Sequence, residues 1–281
     1  MSGDLAVLSD RGIVEVVGPD ARDLLQRLIT NDVDNLKPGE ARYAALLTPQ
    51  GKITSDFFVV ADRDPVASSF YIDVPEALVA DLVKKLTMYR LRAKVDIRNQ
   101  SETLGIVAGD PSALPGDCRL TFDDPRVPGL WRRAIVDRSR FADLGDDSGR
   151  WAYREQRVRL GVPEGGIDFI YGETFPHEAN LDRLHGVDFK KGCYIGQEVV
   201  SRVQHRGTAR KRIVGVRFDG EPPLVGSDIT ADGVSIGVMG SSIDGLGLGL
   251  LRIDKAEDAR LAGTSVVAGS IPLTLDGPGW H

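Results

Sequence analysis

Phe189-Lys190-Lys191-Gly192-Cys193-Tyr194-Ile195-Gly196-Gln197-Glu198, continued through Arg202 and His205 to Gly207, is the stretch of this 281-residue chain that says most. One of only two cysteines stands beside two lysines, between two glycines, just before a run with helical spacing. If residues 197–204 are helical, Val199, Val200 and Val203 share a face and Glu198 pairs with Arg202 at i,i+4. Free N–H groups and the helix dipole would then favour negative charge near Cys193, and Lys190 and Lys191 add to that field. All three effects favour a thiolate. Gly192 and Gly196 permit sharp turns and close approach of a ligand to the backbone. Two readings stand: a nucleophilic, redox-active or metal-donating thiol beside an anion-binding loop, or a small buried cysteine with solvated lysines nearby.

Outward from this stretch, strand and helix patterns alternate. Residues 13–17 read as a strand, and Gly18-Pro19-Asp20 breaks it before a helix carrying Leu24, Leu25, Leu28 and Ile29. Residues 43–47 and 53–61 flank the turn Thr48-Pro49-Gln50-Gly51 as a hairpin. Residues 70–74 form another strand, a helix follows with Leu78, Val79, Leu82, Val83 and Leu86 on its apolar face, and 94–98 and 103–107 return to strand. The pattern predicts an α+β fold with helices packed on a mostly antiparallel sheet. Residues 109–129 read as loop, 151–160 as helix and 161–180 as a long irregular segment of the kind that often carries function. From residue 211 onward, short apolar runs between glycines and prolines predict a small, separate β-barrel or sandwich. We therefore expect a body over 1–210, with a break near 109–130, and a barrel domain over 211–281.

Composition narrows the function. Apolar residues make up 42% of the chain, enough for a substantial core, and the net charge of -6 disfavours stable nucleic-acid binding. Cys118 and Cys193 cannot make a disulfide framework, and the four histidines lack metal-ligand spacing, so no intrinsic metal site is expected. No run approaches the ~18 apolar residues of a membrane span. The first residues carry no signal or transit pattern. The expectation is a cytoplasmic protein without membrane contact.

The segment 191–198, with Arg202, His205 and Gly207 behind it, resembles the signature of the YgfZ family, folate-binding relatives of the glycine-cleavage T-protein that include mitochondrial iron–sulfur assembly factors. Further segments agree in order: Asp20 to Val33, Leu47 to Ile53, Arg157 to Glu164 and Pro176 to Asp182. The resemblance spans roughly residues 5–275. It implies a T-protein-like three-lobed ring of ferredoxin-like α+β regions plus the C-terminal β-barrel, around a folate-sized pocket. It implies tetrahydrofolate or a one-carbon derivative as cofactor, and iron–sulfur client or assembly proteins, including tRNA-modifying enzymes, as partners. Cys193 is then the functional thiol, within the motif Lys191, Gly192, Cys193, Gly196, Gln197, Glu198 and Arg202.

T-proteins place an acid near the reacting atoms, and Asp56 is the nearest candidate, on a strand face with Thr54, Phe58 and Val60. There it could hold a folate nitrogen, act as a base, or simply face water. The single acid of Gly51-Lys52-Ile53-Thr54-Ser55-Asp56 departs from the paired acids usual in T-proteins. Glu178 or Asn180 could accept adjacent pterin N–H donors, Tyr194 or Tyr171 could stack on a pterin face, and Lys191 is a further folate-binding candidate. The basic stretch Arg202, His205, Arg206, Arg210, Lys211 and Arg212 could hold the glutamate tail of folate or a phosphate. Three functions follow: a folate-binding accessory protein for iron–sulfur metabolism, a tetrahydrofolate-dependent aminomethyltransferase, or an RNA-binding module. The first is preferred, because a T-protein needs no cysteine in this segment.

Overall fold

The computed structural model describes residues 4–64, 68–144, 147–207 and 209–275. The chain opens with β1 (Leu5–Leu8), β2 (Arg11–Val17), α1 (Ala21–Leu28), β3 (Ala41–Leu47), β4 (Ile53–Ala61), β5 (Ser69–Pro75), α2 (Val79–Arg90) and β6 (Asp96–Asn99). It continues with β7 (Leu104–Gly109), β8 (Leu120–Phe122), β9 (Arg132–Asp137), α3 (Phe141–Leu144), α4 (Asp147–Arg159) and α5 (Gln197–Arg206). It ends with β10 (Lys211–Arg217), β11 (Asp228–Ala231), β12 (Val234–Ile243), β13 (Leu246–Arg252), α6 (Ile253–Ala262), β14 (Val266–Ala268) and β15 (Ile271–Leu275).

The first sheet has strand order β3-β4-β5-β2-β6, the second β1-β7-β9-β8. Every pairing in both is antiparallel. Both faces of the first sheet are buried, which explains its near-continuous apolar strands. Ala44, Leu46, Phe57, Val59, Phe70 and Ile72 face Leu24, Leu25 and Leu28 of α1 and Leu82 and Leu86 of α2. The alternate positions, Tyr43, Phe58, Val60 and Tyr71, face a central core shared with Ile106, Phe122 and Ile135 of the second sheet and with Ile213 and Leu248 of the barrel. One core thus joins all three regions, and a polar residue on the inner face of the first sheet is forced toward the centre.

The barrel closes in the order β10-β13-β12-β11-β14-β15, with β15 returning to β10 through Val216↔Leu275 and Arg217↔Thr274. This is the α+β body with a C-terminal β-barrel that the sequence predicts. Six elements lie outside the sequence reading, among them β1, β9 and α3, which it does not assign. β8 is a three-residue strand inside the segment read as loop, and β11 fell between the β runs identified in the tail. α6 is a helix in a tail read as all β; it buries only Ala256 and Ala259, so it lacks an apolar stripe of large residues.

Candidate functional site

A cleft of about 820 Å³ opens between the first sheet, the second sheet, α4 and the loop 163–167. Its floor is polar. Asp56 on β4 lies on the inner face and is 6% exposed. Its carboxylate accepts hydrogen bonds from the phenols of Tyr43 (2.8 Å) and Tyr171 (2.5 Å). Burial, and then the Asp56 charge, push both phenols well above their ordinary range. The Tyr171 hydroxyl packs directly over Gly165, where a Cβ would lie 2.0 Å from it, so glycine there is a condition of this contact.

Beside Asp56 stands a buried ion cluster. Arg11 donates to Asp73 Oδ1 at 2.6 Å, and Arg133 donates to Asp73 Oδ2 at 2.8 Å and to the Tyr153 hydroxyl at 2.7 Å. Arg126 pairs with Asp124 at 2.7 Å. The guanidinium carbons of Arg126 and Arg133 lie 4.9 and 4.6 Å from the centroid of the Phe58 ring. Burial alone would raise the Asp73 carboxyl, yet Arg11 and Arg133 hold it below its usual value. Asp73 and Arg133 were not singled out from sequence. The available signal was parity: Phe70-Tyr71-Ile72-Asp73-Val74 puts a charge on a strand face that the apolar pattern marks as inward.

The cysteine loop lies elsewhere and is built differently. Asp188 Oδ1 accepts the amides of Lys190 (2.6 Å) and Lys191 (3.1 Å), folding the chain back just before Cys193. The Lys191 ammonium donates to the carbonyls of Ile29 (2.8 Å) and Asn31 (2.7 Å), so it caps the end of α1. Burial lowers its pKa to about 8. Thr30 donates to the carbonyl of Gly186 at 2.6 Å, and Asn31 donates to those of Tyr43 and His185. The downstream side is fixed at Gly196 (φ +80°), where a Cβ would approach Thr48 O to 2.6 Å; Gly51 meets Val199 in the same contact. The turn 48–51 and the start of α5 therefore require glycines because they pack against each other. Gly192 has open space around it, so that position needs no glycine for packing. Cys193, between these anchors, is a free and exposed thiol.

Of the expected site residues, Asp56 lines the cleft and Tyr171 reaches it through Asp56. Glu178 accepts the Phe175 amide at 2.9 Å within its own loop. Asn180 donates to Ile213 O at 2.7 Å, and Arg212 pairs with Asp182 at 2.8 Å, so this loop ties the body to β10. Arg202 pairs with Glu198 at 2.5 Å on the exposed face of α5, and Gln197 opens that helix. Tyr194 is buried 5.4 Å beneath the Lys191 ammonium. A second tie to the barrel runs through Arg157, which donates to Asp168 at 2.9 Å and to the Ser241 hydroxyl at 2.7 Å. No group of three or more potential metal-ligating side chains gathers among the described residues. None of the described helices is long and apolar enough to cross a membrane.

Residues 5–109 match the GCVT N-terminal domain, and residues 210–281 match the CAF17 C-terminal beta-barrel domain. The crystal structure of glycine cleavage system aminomethyltransferase T from Bartonella henselae superposes with a TM-score of 0.75 over 99% of this chain and 86% of that one. At 19% identity it establishes the fold alone. The mitochondrial iron-sulfur cluster assembly factor IBA57 homolog of Chaetomium globosum is 35% identical over 92% of this chain and 74% of its own length. The human mitochondrial IBA57 is 31% identical over 88% of this chain and 77% of its own. The Mycosarcoma maydis homolog is 34% identical, and the match spans 59% of its length. These mitochondrial relatives overturn the expectation of a cytoplasmic protein, which rested only on the lack of a targeting pattern. With the N-terminal region and the barrel matched in order and these relatives matched over most of their length, this chain belongs to the IBA57 family of iron–sulfur cluster assembly factors.

Proposed function

We propose that the chain serves iron–sulfur cluster assembly or repair, with Cys193 as its working thiol and the central cleft as a site for tetrahydrofolate or a one-carbon derivative. The observation that carries the proposal is the presentation of Cys193, exposed on a loop anchored on both sides. A thiol held at a fixed position can receive a cluster from an assembly protein and pass it to a client without an internal partner competing for the sulfur. The YgfZ-like motif extends the clients to tRNA-modifying enzymes.

The cleft suits a flat polar heterocycle. Its volume of about 820 Å³ falls within the usual range for small-molecule sites. A carboxylate offers about four lone-pair sites, and the two phenols leave Asp56 able to accept ligand N–H groups. Phe58 lines the cleft wall, with Arg126 and Arg133 stacked on its ring. Bound tetrahydrofolate would supply a reduced pterin able to carry a one-carbon unit; the chain's own residues bind and orient it. Aminomethyl transfer is the second reading, supported by Asp56 lining the cleft. It ranks lower because two phenols already donate to the carboxylate that would act as base.

Complementation tests the proposal. In a host lacking its own factor of this family, wild-type protein should restore the activity of [4Fe–4S] enzymes, whereas Cys193→Ala should fail at equal abundance. Full rescue by the alanine variant would remove Cys193 from the mechanism. Formation of 5,10-methylene-tetrahydrofolate from an aminomethylated carrier would promote the second reading.

A further inference from the structure

The arginines of the cleft are not equivalent. Arg11 and Arg133 pair with Asp73, Arg126 with Asp124, and Arg157 with Asp168 and Glu164. Arg150, nearer the surface, contacts Ser9 and Asp10. Arg154 also lines the cleft, yet among the described residues its guanidinium has no hydrogen bond and no carboxylate partner. Its Nε is buried and unsatisfied, and its only close partner is the ring of Trp151, 6.0 Å away, which lines the same cleft and is 54% exposed. A half-buried guanidinium without an anion is costly unless a ligand supplies one. Glu76, the remaining acid of the cleft besides Asp10, Asp56 and Glu164, lies 3.7 Å from Arg138.

The cleft therefore has a polarity. An acceptor, Asp56, sits at the buried end, and an unpaired donor with an exposed indole beside it sits on α4. A ligand matching both carries N–H donors at one end and a carboxylate at the other. We infer that Arg154, with Trp151 against its plane, is the carboxylate subsite of the cleft and selects ligands bearing an anionic glutamyl tail over those without one. This inference rests on the reading of the cleft as a folate site. The guanidinium fork accepts a carboxylate in bidentate geometry, and the indole covers one face of the pair from water.

Binding to the full-length protein tests this with three probes: tetrahydrofolate, its pentaglutamate and the tail-less 6-methyltetrahydropterin. Wild type should bind both tailed ligands more tightly than the pterin, with an advantage that shrinks as salt rises. Arg154→Met should weaken tetrahydrofolate about tenfold while leaving the pterin unchanged. Arg154→Lys should recover part of that loss. Among the described residues Arg154 makes no internal hydrogen bond, so thermal melts of the variants should match wild type. Wild-type-like affinity of Arg154→Met for tetrahydrofolate would overturn the subsite and leave the cleft reading intact. Absence of binding of all three probes to wild type would overturn the cleft reading and the subsite together. An Asp56→Asn control should weaken all three ligands alike, separating the buried end from the tail end.

Discussion

The cleft and the Cys193 loop hold their key groups by opposite means. At the floor of the cleft two buried carboxylates are each restrained by two partners: Asp73 receives two arginines, and Asp56 receives two phenols. In the loop, the key group is left exposed and unbonded, and order comes from its neighbours: Asp188 and Lys191 before it, Gly196 after it. Carboxylates in a low-dielectric centre hold their arrangement when their oxygens are satisfied, because a half-satisfied network is unstable. The role proposed for Cys193 asks instead for an accessible sulfur on an anchored backbone. The two regions share no expected site residue, so the expected residues do not gather in one cavity.

Substitutions should separate the regions cleanly. Asp73→Asn leaves Arg11 and Arg133 buried without their counter-charge and should cost about 3–5 kcal/mol of stability. The Asp73 carboxyl is held below its ordinary value, so its contribution is present above the usual carboxylate range. It is lost only as pH falls through the depressed value. Urea unfolding should therefore show the gap between wild type and Asp73→Asn constant near neutrality and closing below about pH 4. If the gap is small at pH 7, the cluster does not hold the cleft.

Gly196→Ala should come next. The added Cβ meets the Thr48 carbonyl in a left-handed conformation, and the expected cost is about 1–3 kcal/mol, with greater protease sensitivity of the loop. Lys191→Met removes the tie to α1 and should cost about 1–2 kcal/mol at neutral pH. The pKa of Lys191 is lowered to about 8, so the unfolded state binds more protons above that pH. Wild-type stability, measured as its difference from Lys191→Met, should then rise between pH 8 and 10. A flat difference would mean that the ammonium is not buried against Ile29 and Asn31. Cys193→Ala should change stability least, within about 0.5 kcal/mol, because the side chain is exposed. A larger loss there would give the thiol a structural role and erase the contrast between the regions.

Most of the body was legible from local pattern. The runs at β2 to β5, the helices α1, α2 and α5, and the Glu198–Arg202 pair all follow from periodicity and flanking turn residues, although Asp20, placed as a cap, makes no capping side-chain bond to α1. Elements with little periodicity were not: β8 is three residues long, and the small apolar residues of α6 give no stripe. The legibility of the site was uneven. The motif marked Cys193, yet the role of Lys191 depends on carbonyls about 160 residues away, which no local pattern encodes. The same holds for Gly51 and Gly196, each required by the other's packing. Asp56 was identifiable by its position on a strand. Arg154 was not, because an arginine on an amphipathic helix is ordinary until its missing partner is visible.

Sequence alone determined the α+β body and the β-rich tail and marked the cysteine motif, because these are written in spacings of a few residues. The tertiary structure decided what those residues do. Only the packing of three regions around one core shows that Lys191 caps a helix, that Asn180 and Arg212 join the body to the barrel, and that Arg154 alone among the cleft arginines lacks a described internal anion. Pairing between charges is a property of distance in space, and residues far apart in the chain meet only when the core that joins them has formed.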